Sequence, residues 1–261
     1  MRRLTTALRC LGAGLLLATA GSVLTAPSSA ANGCITPAAG SAGDPFLIIT
    51  PANLVCLMNN GSYYWHHGYY FRQTADIDLT GQAQTPIGDA SIAADSFTGS
   101  YDGQGHRISG LSITGAAGKS AGLFGDTDGG GTISNLRISG SVTGEDFVGG
   151  LIGWSHATTV TSVVADVAVS ATVGGNGVGG LIGKTVHTTV STSAALGSVT
   201  GGTHGIAGGL VGFVDCTAPG STVSKSYASG NVTGLDKAGG LFGDLEADGC
   251  SFSDLYASGS T

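Results

Sequence analysis

Apolar residues in this chain occur in short runs broken by glycine and by Ser or Thr, and from residue 122 onward the pattern repeats. The tetrapeptide Gly-Leu-x-Gly reads GLFG at 122–125, GLIG at 150–153, GLIG at 180–183, GLVG at 209–212 and GLFG at 240–243, with first glycines 28, 30, 29 and 31 residues apart. About ten residues after each comes a hydroxyl–apolar–hydroxyl triplet: Thr132-Ile133-Ser134, Thr159-Val160-Thr161, Thr189-Val190-Ser191, Thr222-Val223-Ser224 and Ser251-Phe252-Ser253. This alternation is the period of a strand, with the central residue turned inward. A third segment follows in several repeats, as Ser141-Val142-Thr143-Gly144, Ser198-Val199-Thr200-Gly201 and Asn231-Val232-Thr233-Gly234. No segment sustains a 3.6-residue period, so the pattern predicts almost no helix.

Self-similarity at this period signals a repeat architecture, and one coil of three short strands cannot bury its own apolar face. The expected fold is therefore all-β: a right-handed parallel β-helix, or solenoid, of about 28–31 residues per coil. Leu123, Leu151, Leu181, Leu210 and Leu241 are expected to form one internal ladder, and Ile133, Val160, Val190, Val223 and Phe252 another. The residues after the leucines (Phe124, Ile152, Ile182, Val211, Phe242) are also apolar. Neighbours on a straight strand point to opposite faces, so burial of both columns requires a corner. The Gly pairs before the leucines, at 149–150, 179–180, 208–209 and 239–240, favour that corner. Their second members Gly150, Gly180, Gly209 and Gly240, like Gly122, open the tetrapeptide, and Gly125, Gly153, Gly183, Gly212 and Gly243 close it. Upstream, TADIDLTG (74–81) and SFTGSYDGQGHRISGLSI (96–113) read as less regular coils. Residues 31–72, with the aromatic cluster YYWHHGYYF at 63–71, read as an N-terminal cap that hides the first edge, and 73–261 as the β-helix.

The repeated GGL[IVF]G followed by a [TS]-[VIF]-S strand resembles the GLUG repeat. The stretch at 75–113 is similar to the segment that precedes such repeats in bacterial surface proteins. The resemblance covers roughly residues 44–261. It implies a β-helical module of secreted or surface-attached bacterial proteins, among them adhesin-like chains and non-catalytic regions of IgA-specific metallopeptidases. The H-E-x-x-H of such a peptidase does not occur in this sequence.

Compartment and charge agree with export. Arg2 and Arg3, an apolar run from Leu11 to Ala26 and the small residues Ser28-Ser29-Ala30-Ala31 read as a signal peptide spanning 1–30, cut after Ala30 or Ala31. The run is too short and too rich in Gly and Ala for a good membrane span, and Ala31-Asn32-Gly33-Cys34 is a poor lipobox. Cleavage removes Arg2, Arg3 and Arg9, leaving 7 basic against 17 acidic residues and a charge near −10. Such a surface excludes nucleic acid as a natural partner. Four cysteines remain: Cys34, Cys56, Cys216 and Cys250. Three disulfide pairings are possible; the favoured one joins Cys34 to Cys56 and Cys216 to Cys250, the latter across neighbouring coils. A four-thiolate zinc site is the alternative, without the close Cys pair such sites use.

Candidate chemistry is sparse. Asp76 and Asp78 flank Ile77 on one strand face, and Asp102 lies one coil later. Paired carboxylates on a β-helix cleave glycosidic bonds in pectinase-like enzymes, so a polysaccharide-degrading enzyme is the first alternative; the plainer reading makes these acids turn caps. Asp126 and Asp128, with Asp244 and Asp248 in an equivalent loop, are the calcium candidates, although no cofactor is expected. Gly118-Lys119-Ser120-Ala121-Gly122 matches a nucleophile pattern, but counting from Leu123 puts Ser120 in the repeat slot of Val148, Val178, Ala207 and Ala238. His66, His67, His106, His156, His187 and His204 show no metal spacing, with His156 and His187 expected as neighbours. The aromatic cluster could stack on sugars or plug the solenoid mouth.

The function that fits best is a secreted, non-enzymatic adhesion or surface-structure module binding an extracellular protein or polysaccharide. Ice binding through the outward Thr/Ser columns is the second alternative. The sequence shows no capping segment after Leu255-Tyr256-Ala257, which predicts either self-association through the last coil or a longer polypeptide.

Overall fold

The computed structural model describes residues 34–35, 38–88, 95–203, 205–217, 219–246 and 248–261. The expected signal peptide and His204 lie outside them. The chain is a parallel β-solenoid, fitting the right-handed β-helix expected. One inward column runs its length, with Phe46, Phe71, Tyr101, Ile133, Val160, Val190, Val223 and Phe252 as successive register partners. All are buried except Phe252. The pairing of Phe46–Ile48 with Tyr70–Gln73 carries this column back as far as Phe46, so the region read as a cap contributes strands to the solenoid as well.

Each repeat uses three sheets. The longest holds the hydroxyl–apolar–hydroxyl strands and their continuations; a five-stranded sheet holds Phe124–Thr127, Ile152–His156, Ile182–Val186, Val211–Asp215 and Phe242–Glu246; a four-stranded sheet holds Phe147–Gly149, Gly177–Gly179, Ile206–Gly208 and Lys237–Gly239. Both expected apolar columns are buried: Leu123, Leu151, Leu181 and Leu210, and beside them Phe124, Ile152, Ile182 and Val211. The corner that allows this is a glycine turn of severe tightness. A Cβ on Gly149, Gly179 or Gly208 would lie 2.0 Å from the carbonyl oxygen three residues on. The strand after the corner then presses on the previous coil, where a Cβ on Gly183 would come within 2.6 Å of the Val148 amide nitrogen. Only glycine fits, which is why the motif keeps it.

A second device has no glycine in it. Asn135, Ser162, Thr192, Lys225 and Asp254 follow the triplets in successive coils, and all five have φ between +48° and +58°. Ala157 and His187 form a similar left-handed corner before two of the triplets. L-residues enter this region at a cost, so the stacked sheets impose the bend on whatever side chain arrives there.

The cap also contains helix that the periodicity did not predict: α1, Pro51–Asn59, and α2, Gly61–Tyr64. The signal was local rather than periodic. Thr50 is the N-cap, its side chain accepting from the Asn53 amide while the Asn53 side chain accepts from Thr50 in return, and Pro51 opens the first turn. Leu54, Leu57 and Met58 then turn one buried face to the core. The Cys34–Cys56 disulfide ties α1 to the start of the described chain, and Cys216–Cys250 joins the last two coils. Tyr64 is fully buried and meets Phe46 and Phe71 edge-on at 5.3 and 5.9 Å. Part of the aromatic cluster thus fills the solenoid mouth.

Candidate functional site

The three carboxylates of the enzymatic alternative are each committed to hydrogen bonds within the protein, Asp78 and Asp102 in their own turns and Asp76 to the coil that follows. Asp78 Oδ1 accepts from the Thr80 amide at 2.9 Å and its hydroxyl at 2.6 Å. Asp76 Oδ1 accepts from the Arg107 amide at 2.9 Å and lies 3.2 Å from His106 Nδ1. Asp102 accepts from the Gln104 amide, the Gln104 side chain and Asn135 Nδ2. The Arg107 amide bond on Asp76 and the Thr80 bonds on Asp78 hold both carboxyls below the usual range; Asp102, opposed by some desolvation, is also lowered by its side-chain and backbone bonds. A glycosidase needs one carboxyl that keeps its proton near neutral pH, and these three are biased the other way. In register, Asp102 pairs with Arg72 and Ser134, while Asp78 pairs with Ser109 on a different strand column.

The calcium candidates also have protein partners. Asp126 is 8% exposed, and Ser96 Oγ donates to its Oδ2 at 2.5 Å. Burial raises its pKa to about 6, against the Ser96 bond that lowers it. Asp128 Oδ1 lies 2.7 Å from His156 Nδ1, and Asp244 pairs with Lys237. Asp126 and Asp244 do occupy one column, but Trp154, Lys184 and Phe213 stand between them; Asp248 is exposed. Among the described residues no group of three His, Cys, Asp or Glu side chains is placed to hold a metal ion. His156 and His187 are the expected neighbours, with ring centroids 5.5 Å apart.

The most regular surface is the outer face of the triplet strands. Thr132, Thr159, Thr189, Thr222 and Ser251 are in register, as are Ser134, Thr161, Ser191, Ser224 and Ser253. Part of this hydroxyl capacity is spent inside the face, since Ser191 Oγ donates to Thr161 Oγ1 at 3.0 Å.

A less regular surface lies where the two smaller sheets meet. Phe147 and Trp154 approach to 5.5 Å there, and the Lys184 ammonium sits 5.1–5.3 Å from the rings of Phe147, Trp154 and Phe213. Such a cation–π cluster positions a lysine through ring faces rather than through a direct carboxylate contact. The first repeat departs from this arrangement and corrects one reading of the sequence. Ala121, not Ser120, is the bridge partner of Val148, whereas Phe124 still pairs with Ile152. The first corner is one residue shorter, so Ser120 takes the slot of Phe147 and leaves the core column. Its hydroxyl is buried with no hydrogen-bond partner, and no base is bonded to it as a nucleophile would require. Trp65, Thr85, Pro86, Gly88, Thr114, Ala116 and Lys119 join Ser120 around a cleft of about 250 Å³. Sequence reasoning missed this cleft because its walls come from four separated segments, three of them outside the repeats.

No family model matches the chain. It is 35% identical over 147 residues to halomucin of Haloquadratum walsbyi, covering 52% of this chain and 2% of halomucin. It is 35% identical over 120 residues to a protein named "putative Gly-rich membrane protein" of Evansella cellulosilytica, covering 44% of this chain and 13% of that one. The chain thus spans a small fraction of either relative. A crystal structure of a "putative immunoglobulin A1 protease" from Bacteroides ovatus superposes with a TM-score of 0.63 over 84% of this chain and 76% of that one, at 21% identity. At that identity the likeness concerns the fold alone. Among the described residues no helix is long and apolar enough to cross a membrane.

Proposed function

We propose that this chain is a secreted, non-enzymatic β-helical module of the GLUG type that presents a repetitive face to an extracellular protein or polysaccharide. The observation that carries the reading is the pair of outward hydroxyl columns held in register across five coils. A stack of equivalent strands offers an extended binding surface rather than a unique catalytic centre. The hydrogen-bonded carboxylates support the non-enzymatic part. Export is supported by the two disulfides and by the likeness to halomucin and to the Gly-rich membrane protein.

The test is retention of the mature protein in gels containing neutral or acidic polysaccharides, with reducing ends measured in parallel. Retention without cleavage is expected. Reproducible cleavage abolished by Asp78→Asn would replace the reading by the enzymatic one. The hydroxyl columns also favour ice binding as a second reading, for which thermal hysteresis of the mature protein is the deciding measurement.

A further inference from the structure

The cleft between the cap and the first Gly-Leu-x-Gly coil is built unlike the rest of the surface. Its back wall includes Ser120, 4% exposed, with a hydroxyl that has no hydrogen-bond partner. Buried hydroxyls almost always find a partner, and leaving one unpaired costs about 1–3 kcal/mol. Removing the hydroxyl needs only a Ser-to-Ala change, and the adjoining position, Ala121, already carries alanine. The oxygen is closed off from the cleft as it stands, and a turn of the short Ser120 side chain about χ1 would offer it to a polar group from outside.

The other walls define that group's chemistry. Trp65 is fixed before any ligand arrives. Its indole Nε1 donates to the Leu57 carbonyl at 2.9 Å, and its ring lies so close to Gly61 that a Cβ there would fall 2.4 Å from the ring edge. The Pro86 ring adds a second rigid apolar surface, and Thr85, Thr114 and Ala116 form an exposed rim. Rigid rings on one side and hydroxyls on the other suit a molecule with one face of C–H groups and an edge of hydroxyls, which describes a pyranose. The cleft volume of about 250 Å³ is below the roughly 300–1,000 Å³ typical of drug-sized ligands, a size for one sugar unit of a longer chain.

We infer that this cleft is a carbohydrate subsite, with a pyranose ring packed against Trp65 and Pro86 and one of its hydroxyls bonded to Ser120 once that side chain has turned toward the cleft. The inference rests on the surface-module reading and commits it to a glycan as partner. It also gives that reading a fixed anchoring point near the N-terminal end of the solenoid.

Trp65 and Trp154 are the two tryptophans of the chain, so Trp154→Phe leaves Trp65 as the sole indole reporter. That variant is titrated with cellohexaose, xylohexaose and an oligogalacturonate while Trp65 emission is followed, and the unmodified protein is run in gels containing the parent polysaccharides. A saturable change of emission with at least one oligosaccharide is expected. Adding Ser120→Ala is expected to weaken that binding about tenfold, the worth of one buried hydrogen bond, while raising Tm because the unpaired hydroxyl is gone. A purely structural serine would not combine those two effects. Retention in the gels with unchanged Trp65 emission, or with Ser120→Ala binding as before, would overturn the subsite and leave the surface-module reading to another face. No retention on any of the polysaccharides would also overturn it, and would move the broader reading to a protein partner.

Discussion

Phe71 and Phe252 are the same residue type in the same inward column, yet Phe71 is 1% exposed and Phe252 38%. Phe71 has a rung on each side, Phe46 and Tyr101. Phe252 has Val223 on one side only. The last coil shows the same contrast throughout: Leu241 and Phe242 are only partly buried, and Leu245 and Tyr256 are exposed. Burial here is a property of neighbouring coils rather than of a coil's own sequence. Stability in such a stack is close to a sum of nearest-neighbour terms.

The largest test of this contrast is truncation of the two phenylalanines. Phe71→Ala is expected to cost about 3–5 kcal/mol in denaturant unfolding, and Phe252→Ala about 1 kcal/mol; equal losses would mean that the end coil is covered in solution. Next is the Cys216–Cys250 bridge. Replacing both cysteines by Ala is expected to lose about 3 kcal/mol, felt mainly in the last coil. Hydrogen exchange would then rise across Ser251–Ala257 and stay unchanged across Thr159–Ala171, and uniform deprotection would refute nearest-neighbour behaviour.

A third test concerns the first repeat, where a buried acid stands in the column that carries Trp154 in the next. The folded pKa of Asp126, about 6, is above the roughly 3.9 of an unfolded Asp. The folded state therefore keeps the proton longer, and stability falls as pH rises from about 4 to about 6, with the full cost present above that. Asp126→Asn is expected to stabilise by about 2 kcal/mol at pH 7.5 and by almost nothing at pH 4. A gain independent of pH would show that charge is not the cause. The smallest expected effect is at the left-handed corners. Thr192, β-branched with φ +50°, is the most strained chemistry in its column, and Thr192→Asn is expected to add about 0.5–1 kcal/mol. No gain there would mean that the corner has already been relaxed by its neighbours.

How much of the molecule was legible in its sequence depends on where each signal resides. Leu151 and Val160 announced their columns because burial demands the same kind of side chain in every coil. The left-handed corners were silent because the demand falls on backbone: Asn135, Ser162, Thr192, Lys225 and Asp254 share a dihedral angle and no chemistry. Helix α1 was hidden in a region without repeats, although Thr50, Pro51 and Asn53 spell its start. The position of Ser120 was misread because counting from Leu123 assumed a corner of constant length, and the one-residue difference became visible only through the pairing of Ala121 with Val148. The cleft depends on that shift, and so could not be read before it.

The glycine corner has a consequence for how such a chain can change over generations. A coil meets the next through the same close approach each time, since a Cβ on Gly149, Gly179 or Gly208 would lie 2.6–2.7 Å from the amide nitrogen of Gly183, Gly212 or Gly243 in the following coil, so its top surface is a copy of its bottom surface. A one-residue change in the tight turn is absorbed locally and moves a single side chain out of its column, as at Ser120, whereas duplicating one whole period of about 28–31 residues would reproduce an interface that already exists. Length in this architecture is therefore inherited in whole-coil increments, and tandem duplication of a short gene segment is enough to extend the reach of the molecule without redesigning its interior.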